Sequence, residues 1–380
     1  MKTGLRLFLV VTVLALVLAS CGEAATPAPT AAPAPTAAPA PTAAPAPTAA
    51  PAPTAAPAPT AAPAPIKAME LKTHTFGAPR AFTKGWEWWA EQVTERTGGA
   101  ITFEHFYSES LGGSKDQPDN IKSGLFELGP VVPGYAPGKL PLSNIISLPG
   151  LSGDLAVLSK AQDDMYELPA MQAELKQWNA KYLFAAAVPS YEYMGKKQVL
   201  KVEDFQGMRM RAYGEQAKFA DKLGMVVVAM PAPEIFEALE RGTIDGVLFP
   251  WSYAFGAYGL HEASKYVTLL GVGALAVPFV ISLDAWDKLD PRAQEIMLEV
   301  AALVPDKYGE IYAEADAKWI PLFKEQGIEI YDFPAAERAK VKAAAGKPLW
   351  DAWVDAREAD GLPGRLVMDT LLAAIAKYTK

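Results

Sequence analysis

The sequence predicts an α/β protein built from two domains. Three observations predict it. Within residues 201–250 the pattern alternates strand, helix, strand, helix, strand, which is an α/β layer with right-handed crossovers. From Ala68 to Lys380 the composition is globular, and roughly 310 residues exceed one typical core. Gly and Pro fall between the periodic segments and punctuate them.

The chain begins with an expected export signal. Lys2 and Arg6 precede the apolar Leu7–Leu18, and Leu18-Ala19-Ser20-Cys21 reads as a lipoprotein cleavage box. The apolar run is short for a membrane span, although an uncleaved anchor helix is an alternative. Cys21 is the single cysteine, so an internal disulfide is impossible and the fold must stand on its core. Its position makes it the expected lipid attachment site.

Residues 22–67 read as a disordered linker. Ala-Ala-Pro-Ala-Pro-Thr repeats in tandem from Ala31 to Thr60, a composition that builds no core and favours polyproline II. At about 3.1 Å per residue such a tether reaches on the order of 100 Å. Holding a module away from a membrane surface is its simplest role; O-linked sugar on the threonines is the alternative.

Leu71–Phe76 is predicted as the first strand. Pro79–Arg96 is predicted as a helix with Phe82, Trp86, Trp89 and Val93 on one face, stopped by Thr97-Gly98-Gly99. Ile101–Tyr107 alternates as a strand. Leu111-Gly112-Gly113 and Ser123-Gly124 bracket a short helix, and Leu125–Val131 is the next strand. Asp154–Asn179 is helical with a break at Pro169. Lys181–Val188 is a strand and the expected first crossing between domains.

Met208–Ala212 is a short strand carrying Arg209 and Arg211. Glu215–Leu223 is a helix ended by Gly224, and Met225–Met230 reads as a buried strand. Pro231 and Pro233 open a helix with Ile235, Phe236 and Leu239 at helical spacing. Ile244–Phe249 closes the unit. Ala274–Leu283 is the expected second crossing. Asp290 caps a long helix begun by Pro291, which Pro305 and Pro321 should kink or split. Ile328–Phe333 is a late strand, and the tail is helical with Trp350, Trp353 and Leu366 as anchors.

Arg211 is the leading candidate for binding. It ends a strand, where open α/β sheets take their ligands, and its fork of donors matches a carboxylate. Arg209 and Arg211 as ordinary strand residues are the competing reading. Residues two apart share a face, so spacing does not choose.

The order Asp204, Gly207, Arg211, Leu223-Gly224, Pro231, Glu234, Phe236, Ala238-Leu239, Gly242, Ile244, Asp245-Gly246 resembles the DctP-like solute-binding proteins of tripartite ATP-independent periplasmic (TRAP) transporters. Thr97-Gly98-Gly99, Leu111-Gly112-Gly113, Ser123-Gly124 and Leu148-Pro149 follow the same family's order in the first domain. The resemblance implies a two-lobed periplasmic-binding-protein-like fold, with mixed sheets flanked by helices and a long helix linking the lobes. It implies lobes of 68–189 plus 275–320 and of 190–274 plus 321–380, with hinges near Val188–Ser190 and Ala276–Phe279. It implies that Arg211 holds a ligand carboxylate. The implied partners are a small organic carboxylate and the small and large membrane subunits of a TRAP transporter. The implied location is extracytoplasmic, periplasmic or on the outer face, with a lipid anchor to the cell membrane.

The chain departs from the family in the segment Pro189–Gly195, where Tyr191 stands in place of a second arginine. Val247–Trp251 and Ser282 replace its usual acid and asparagines. One arginine with Tyr191, Phe249 and Trp251 suits one carboxylate plus an apolar or aromatic body. A monocarboxylate is therefore expected over a C4-dicarboxylate, with these aromatics as plain core the alternative. The candidate ligand-binding residues are Arg211, Tyr191, Phe249, Trp251, Glu192 and Phe76.

Enzyme chemistry is poorly supported. His74, His105 and His261 are far apart, without metal-ligand spacing, and no nucleophile elbow or phosphate loop occurs. Glu192 beside Tyr191 and Arg211 is the nearest thing to a catalytic set, while Glu234 and Asp245 read as structural. The expectation is no cofactor, no metal and no catalysis; a formal charge of −8 argues against nucleic acid. An exported enzyme on a similar scaffold, or a binding protein serving a sensor, are the alternatives.

Overall fold

The computed structural model describes residues 65–136 and 138–379. The expected signal, the lipidation site Cys21 and the linker up to residue 64 lie outside the described residues.

The chain runs β1 (Met69–His74), α1 (Ala81–Arg96), β2 (Ile101–Phe106), α2 (Gln117–Lys122), β3 (Leu128–Pro130), α3 (Leu155–Tyr166), α4 (Pro169–Lys176) and β4 (Ala180–Val188). It continues through β5 (Tyr191–Gly195), β6 (Arg209–Arg211), α5 (Glu215–Lys222), β7 (Val226–Val228), α6 (Ile235–Glu240), β8 (Gly246–Pro250), α7 (Tyr253–Ala257), α8 (Leu260–Ala263) and β9 (Tyr266–Leu269). It ends with β10 (Leu275–Ser282), α9 (Leu283–Trp286), α10 (Pro291–Ala301), α11 (Val304–Glu325), β11 (Glu329–Asp332), α12 (Ala335–Ala345), α13 (Lys347–Ala359) and α14 (Gly364–Tyr378).

Two mixed sheets result. The first has the order β2-β1-β3-β10-β4, and the second β11-β9-β5-β8-β6-β7. In the first, β1 pairs parallel with β2 and β3, while β10 runs antiparallel to β3 and β4. In the second, β6 pairs parallel with both β7 and β8, and β5 is antiparallel to β8 and β9. Each sheet forms the centre of one lobe.

The lobes are joined at the β4–β5 turn and again between β9 and β10. The second crossing is residues 270–274, where Gly271 and Gly273 hold φ of +71° and +114°. Ala276–Phe279, expected as a hinge, lies inside β10 and is paired with β4 at every residue. The connection outside the strands is 270–274, ahead of β10.

The apolar face of α1 is buried as its spacing requires: Phe82, Trp86, Trp89 and Val93 are all core. Trp86 and Phe184 stack on opposite sides of Phe279, with centroids 5.4 and 4.7 Å away. Pro305 sits in the first turn of α11, where its missing N–H costs nothing, and the chain breaks before it. Pro321 lies within α11 without ending it; Ala317, the residue whose carbonyl loses its partner, is exposed to water. That helix packs on α1, α3 and β4 of the first lobe and on α7 of the second, and so links the two.

Three further expectations differ. The strand at Val226–Val228 is an edge strand, with Val226 52% exposed, not a buried one. Leu366 is 51% exposed, while Val367, Met368 and Leu371 anchor α14. The segment 321–380 does not stay with the second lobe. The second lobe keeps it through α12, after which α13 and α14 return to the first, where α14 packs on α3 and Trp350 donates to the Pro149 carbonyl at 3.0 Å.

Candidate functional site

A cavity lies where the two lobes face each other. The first lobe supplies Phe76, Arg80, Phe82, Val132, Tyr135, Val188 and Val277. The second supplies Tyr191, Tyr213, Ala232, Phe249, Pro250, Tyr253 and Tyr258. Phe76 follows β1, Tyr213 follows β6 and Phe249-Pro250 are the last two residues of β8, so the space opens at strand carboxyl ends, the usual ligand position in open α/β sheets. The volume open to the centre of a water molecule is about 30 Å³.

Arg211 ends β6 and is 0% exposed. Its Nε donates to the Met230 carbonyl at 3.0 Å and Nη2 donates to Tyr135 Oη at 3.1 Å. Nη1 is buried without a hydrogen-bond partner among the described residues. The guanidinium lies over the rings of Tyr213 and Phe249, at 4.6 and 5.2 Å from their centroids. A buried guanidinium keeps its charge and is costly to leave unpaired. Arg209 behaves differently. It pairs bidentately with Asp245 at the exposed start of the strand, Nη2 to Oδ1 at 2.9 Å and Nε to Oδ2 at 3.2 Å. Both arginines lie on one strand, but only the carboxyl end is covered by the other lobe.

The hydroxyl of Tyr135 accepts from Arg211 and from the Ala232 N–H at 3.1 Å. With both lone pairs engaged, its own proton is the bonding group left to point into the cavity. Tyr191 and Tyr213 share a hydrogen bond between hydroxyls at 2.9 Å. Burial holds the Tyr191 phenol well above its ordinary value, so it stays neutral. Behind one part of the wall Arg211 thus places an unpaired cationic donor among several phenols, while the rest of the wall is mainly aromatic and carries Arg80.

Of the residues singled out from sequence, Tyr191, Phe249 and Phe76 line this space, and Arg211 packs against Tyr213 and Phe249 of its wall. Trp251 and Glu192 do neither. Trp251 lies just past the end of β8 and packs on Phe323, with ring centroids 5.9 Å apart. Glu192 follows Tyr191 on β5, and alternation sends it to the opposite face, where its Oε2 accepts from the Gly271 N–H at 2.9 Å. Burial raises Glu192 to about 7. Its contact ties β5 to the second crossing.

Sequence reasoning missed Arg80, Tyr135, Tyr213 and Tyr258. Tyr213 stands two residues beyond Arg211, on the same strand face extended, and that spacing was the available signal. Among the described residues no group of three or more His, Cys, Asp and Glu side chains is placed to hold a metal ion, and no helix is long and apolar enough to cross a membrane. Depressions elsewhere, around Tyr166–Tyr182 and Ser152–Thr379, carry lysines in contact with solvent rather than buried cations.

The two mixed-sheet lobes, their paired crossings and the cavity between them define the class of two-lobed solute-binding proteins. The chain belongs to one family of that class, the bacterial extracellular solute-binding proteins of family 7 (DctP), whose model matches residues 73–356. Its backbone is similar to a TRAP solute-binding protein from Rhodoferax ferrireducens in complex with copurified benzoate. The TM-score is 0.74 and the identity 28%, over 81% of this chain and 98% of that one. A marine metagenome TRAP protein specific for aromatic acid ligands, crystallised with 3-hydroxybenzoate, matches with a TM-score of 0.74 at 25% identity, over 83% of this chain and 100% of that one. The monocarboxylate 2-oxoacid-binding periplasmic protein of Nostoc sp. is 27% identical over 283 residues, 70% of this chain and 77% of that protein. The chain is therefore an extracytoplasmic TRAP-type binding protein for small organic carboxylates, and not an enzyme.

Proposed function

We propose that this protein captures a monocarboxylate with an aromatic or other apolar body, closes its lobes around it, and delivers it to the small and large membrane subunits of a TRAP transporter. The observation that carries the reading is the buried guanidinium of Arg211, which has no partner for Nη1 among the described residues and packs against Tyr135, Tyr213 and Phe249 of the cavity wall. A carboxylate there neutralises the charge and accepts from Nη1 and the Tyr135 hydroxyl. Phe76, Tyr191 and Phe249 enclose the ligand body. Tyr191, in place of a cation, leaves that wall suited to an apolar surface. Closure brings Tyr135 of the first lobe onto Arg211 and Ala232 of the second, and rotation about Val188–Ser190 and 270–274 reopens the site. Cys21 is proposed to carry a lipid that holds the protein at the membrane; Cys21→Ser should release it from the membrane fraction.

A thermal-shift screen tests the ligand assignment. A ligand that binds only the folded protein raises its melting temperature by mass action. Benzoate and branched monocarboxylates are expected to raise it. A rise with succinate, malate or fumarate alone overturns the monocarboxylate reading.

A further inference from the structure

Arg80 is a second buried cation in the wall of the same cavity. It is 9% exposed and precedes α1, at the end of a turn made by Gly77, whose φ is +76°. Its guanidinium is held over the rings of Phe76, Phe82 and Tyr258, at 5.4, 5.1 and 5.4 Å from their centroids. Nη1 donates to the Ala78 carbonyl at 2.8 Å, and Nε is buried with no partner among the described residues. The turn is tight around it. A Cβ on Gly77 would stand 3.0 Å from Arg80 Nη1 and 2.8 Å from Tyr258 Oη.

The two cations bracket the aromatic walls. Arg80 lies over Tyr258, Tyr258 meets Phe249 at 5.4 Å, and Phe249 lies under Arg211. On the other side Arg80 lies over Phe76, Phe76 meets Tyr135 at 5.5 Å, and Tyr135 bonds Arg211. Neither guanidinium has a carboxylate partner among the described residues, in contrast to Arg96, Arg209, Arg241, Arg338, Arg357 and Arg365. One carboxylate at Arg211 leaves the second buried cation uncompensated. Ring faces attract a cation but supply no lone pair to its N–H groups.

We propose that Arg80 is a specificity-determining residue that receives a second oxygen acceptor of the ligand, on the far side of the ring from the carboxylate held by Arg211. The inference rests on the proposed function and narrows it. The favoured ligands are oxygenated aromatic monocarboxylates, with a ring hydroxyl or carbonyl at the Arg80 end, rather than the plain acid.

The experiment is calorimetric titration of wild type, Arg80→Met, Arg80→Lys and Arg211→Met with benzoate, 3-hydroxybenzoate, 4-hydroxybenzoate and isophthalate. In the wild type at least one oxygenated acid is expected to bind about 10- to 100-fold tighter than benzoate, the range for a charge-assisted hydrogen bond. The hydroxylated and dicarboxylic arms distinguish a neutral acceptor from a charged one. Arg80→Met should bring the ratio of the oxygenated acid's affinity to that for benzoate close to one, and that ratio is the quantity read. Arg80→Lys, which keeps the charge and loses the fork, should retain part of it and serves if the methionine variant does not fold. Equal binding of all four acids by the wild type, or an Arg80 substitution that weakens benzoate and its oxygenated analogues alike, overturns the inference and leaves the carboxylate reading intact. Failure of the wild type to bind any of them overturns both.

Discussion

Arg211 of the second lobe donates from Nη2 to the hydroxyl of Tyr135 of the first, at 3.1 Å, and that hydroxyl also accepts from the backbone N–H of Ala232. The residue placed to meet the ligand is thus bonded to the opposite lobe through a single phenol. Ligand anchoring and lobe closure share this contact, so changes on either side of it should move both.

Tyr135→Phe removes the acceptor for both donors while keeping the ring. A net hydrogen bond is worth about 1 kcal/mol, more when one partner is charged. Carboxylate affinity should fall by roughly 5- to 50-fold, and small-angle scattering with saturating ligand should show a larger share of open molecules. Unchanged affinity would mean that Tyr135 plays no part in closure.

Arg211→Met should separate binding from stability. The methionine keeps much of the stem and removes a buried charge that has no acid partner among the described residues. The ligand-free melting temperature should stay the same or rise, whereas the ligand-induced shift should vanish. Loss of several degrees in the ligand-free variant would show that Arg211 stabilises the fold.

Gly134 permits the close approach of the lobes. A Cβ there would stand 2.6 Å from the ring of Tyr213 and 3.1 Å from the Cα of Gly214, both in the second lobe. Gly134→Val should leave each lobe folded and hold them apart. Circular dichroism should be unchanged, and affinity should drop by at least about tenfold, a loss of roughly 1.4 kcal/mol. Wild-type affinity in this variant would show that the approach is not needed.

Burial raises Glu192 from 4.5 to about 7. A folded-state value above the unfolded one means that the folded chain holds the proton more tightly. The stabilisation is fully present below about 4.5 and is lost as pH rises through about 7, on the order of 3 kcal/mol at most. Asp163, raised to about 6 by burial, acts in the same direction. Glu192→Gln should raise the melting temperature at pH 8 relative to wild type and shrink the difference between pH 5 and pH 8. A steeper pH dependence in the variant would contradict the assignment.

Much of this architecture is legible in the sequence because strands and helices carry their periodicity locally. The four apolar residues of α1 and the Asp290 cap, which accepts from Arg292 N at 2.9 Å, are examples. Arg211 stands out because it ends a short strand in a recognisable motif. What stays hidden depends on how distant segments meet. Arg80 looks like a helix-start residue until the Gly77 turn folds it back toward Tyr258. Trp251 looks like a continuation of β8, yet the strand ends at Pro250 and Trp251 packs on Phe323 of a distant helix. The return of α14 to α3 leaves no local trace either, since its apolar face would suit either lobe.

The most direct test is isothermal titration of the protein and its Arg211→Met variant with benzoate and with succinate. The account predicts micromolar or tighter binding of benzoate, weaker binding of succinate, and a loss of at least about 100-fold in the variant, as expected when a charged hydrogen-bonding partner is removed. Tight binding of succinate with none of benzoate, or benzoate binding that survives the loss of Arg211, would contradict it.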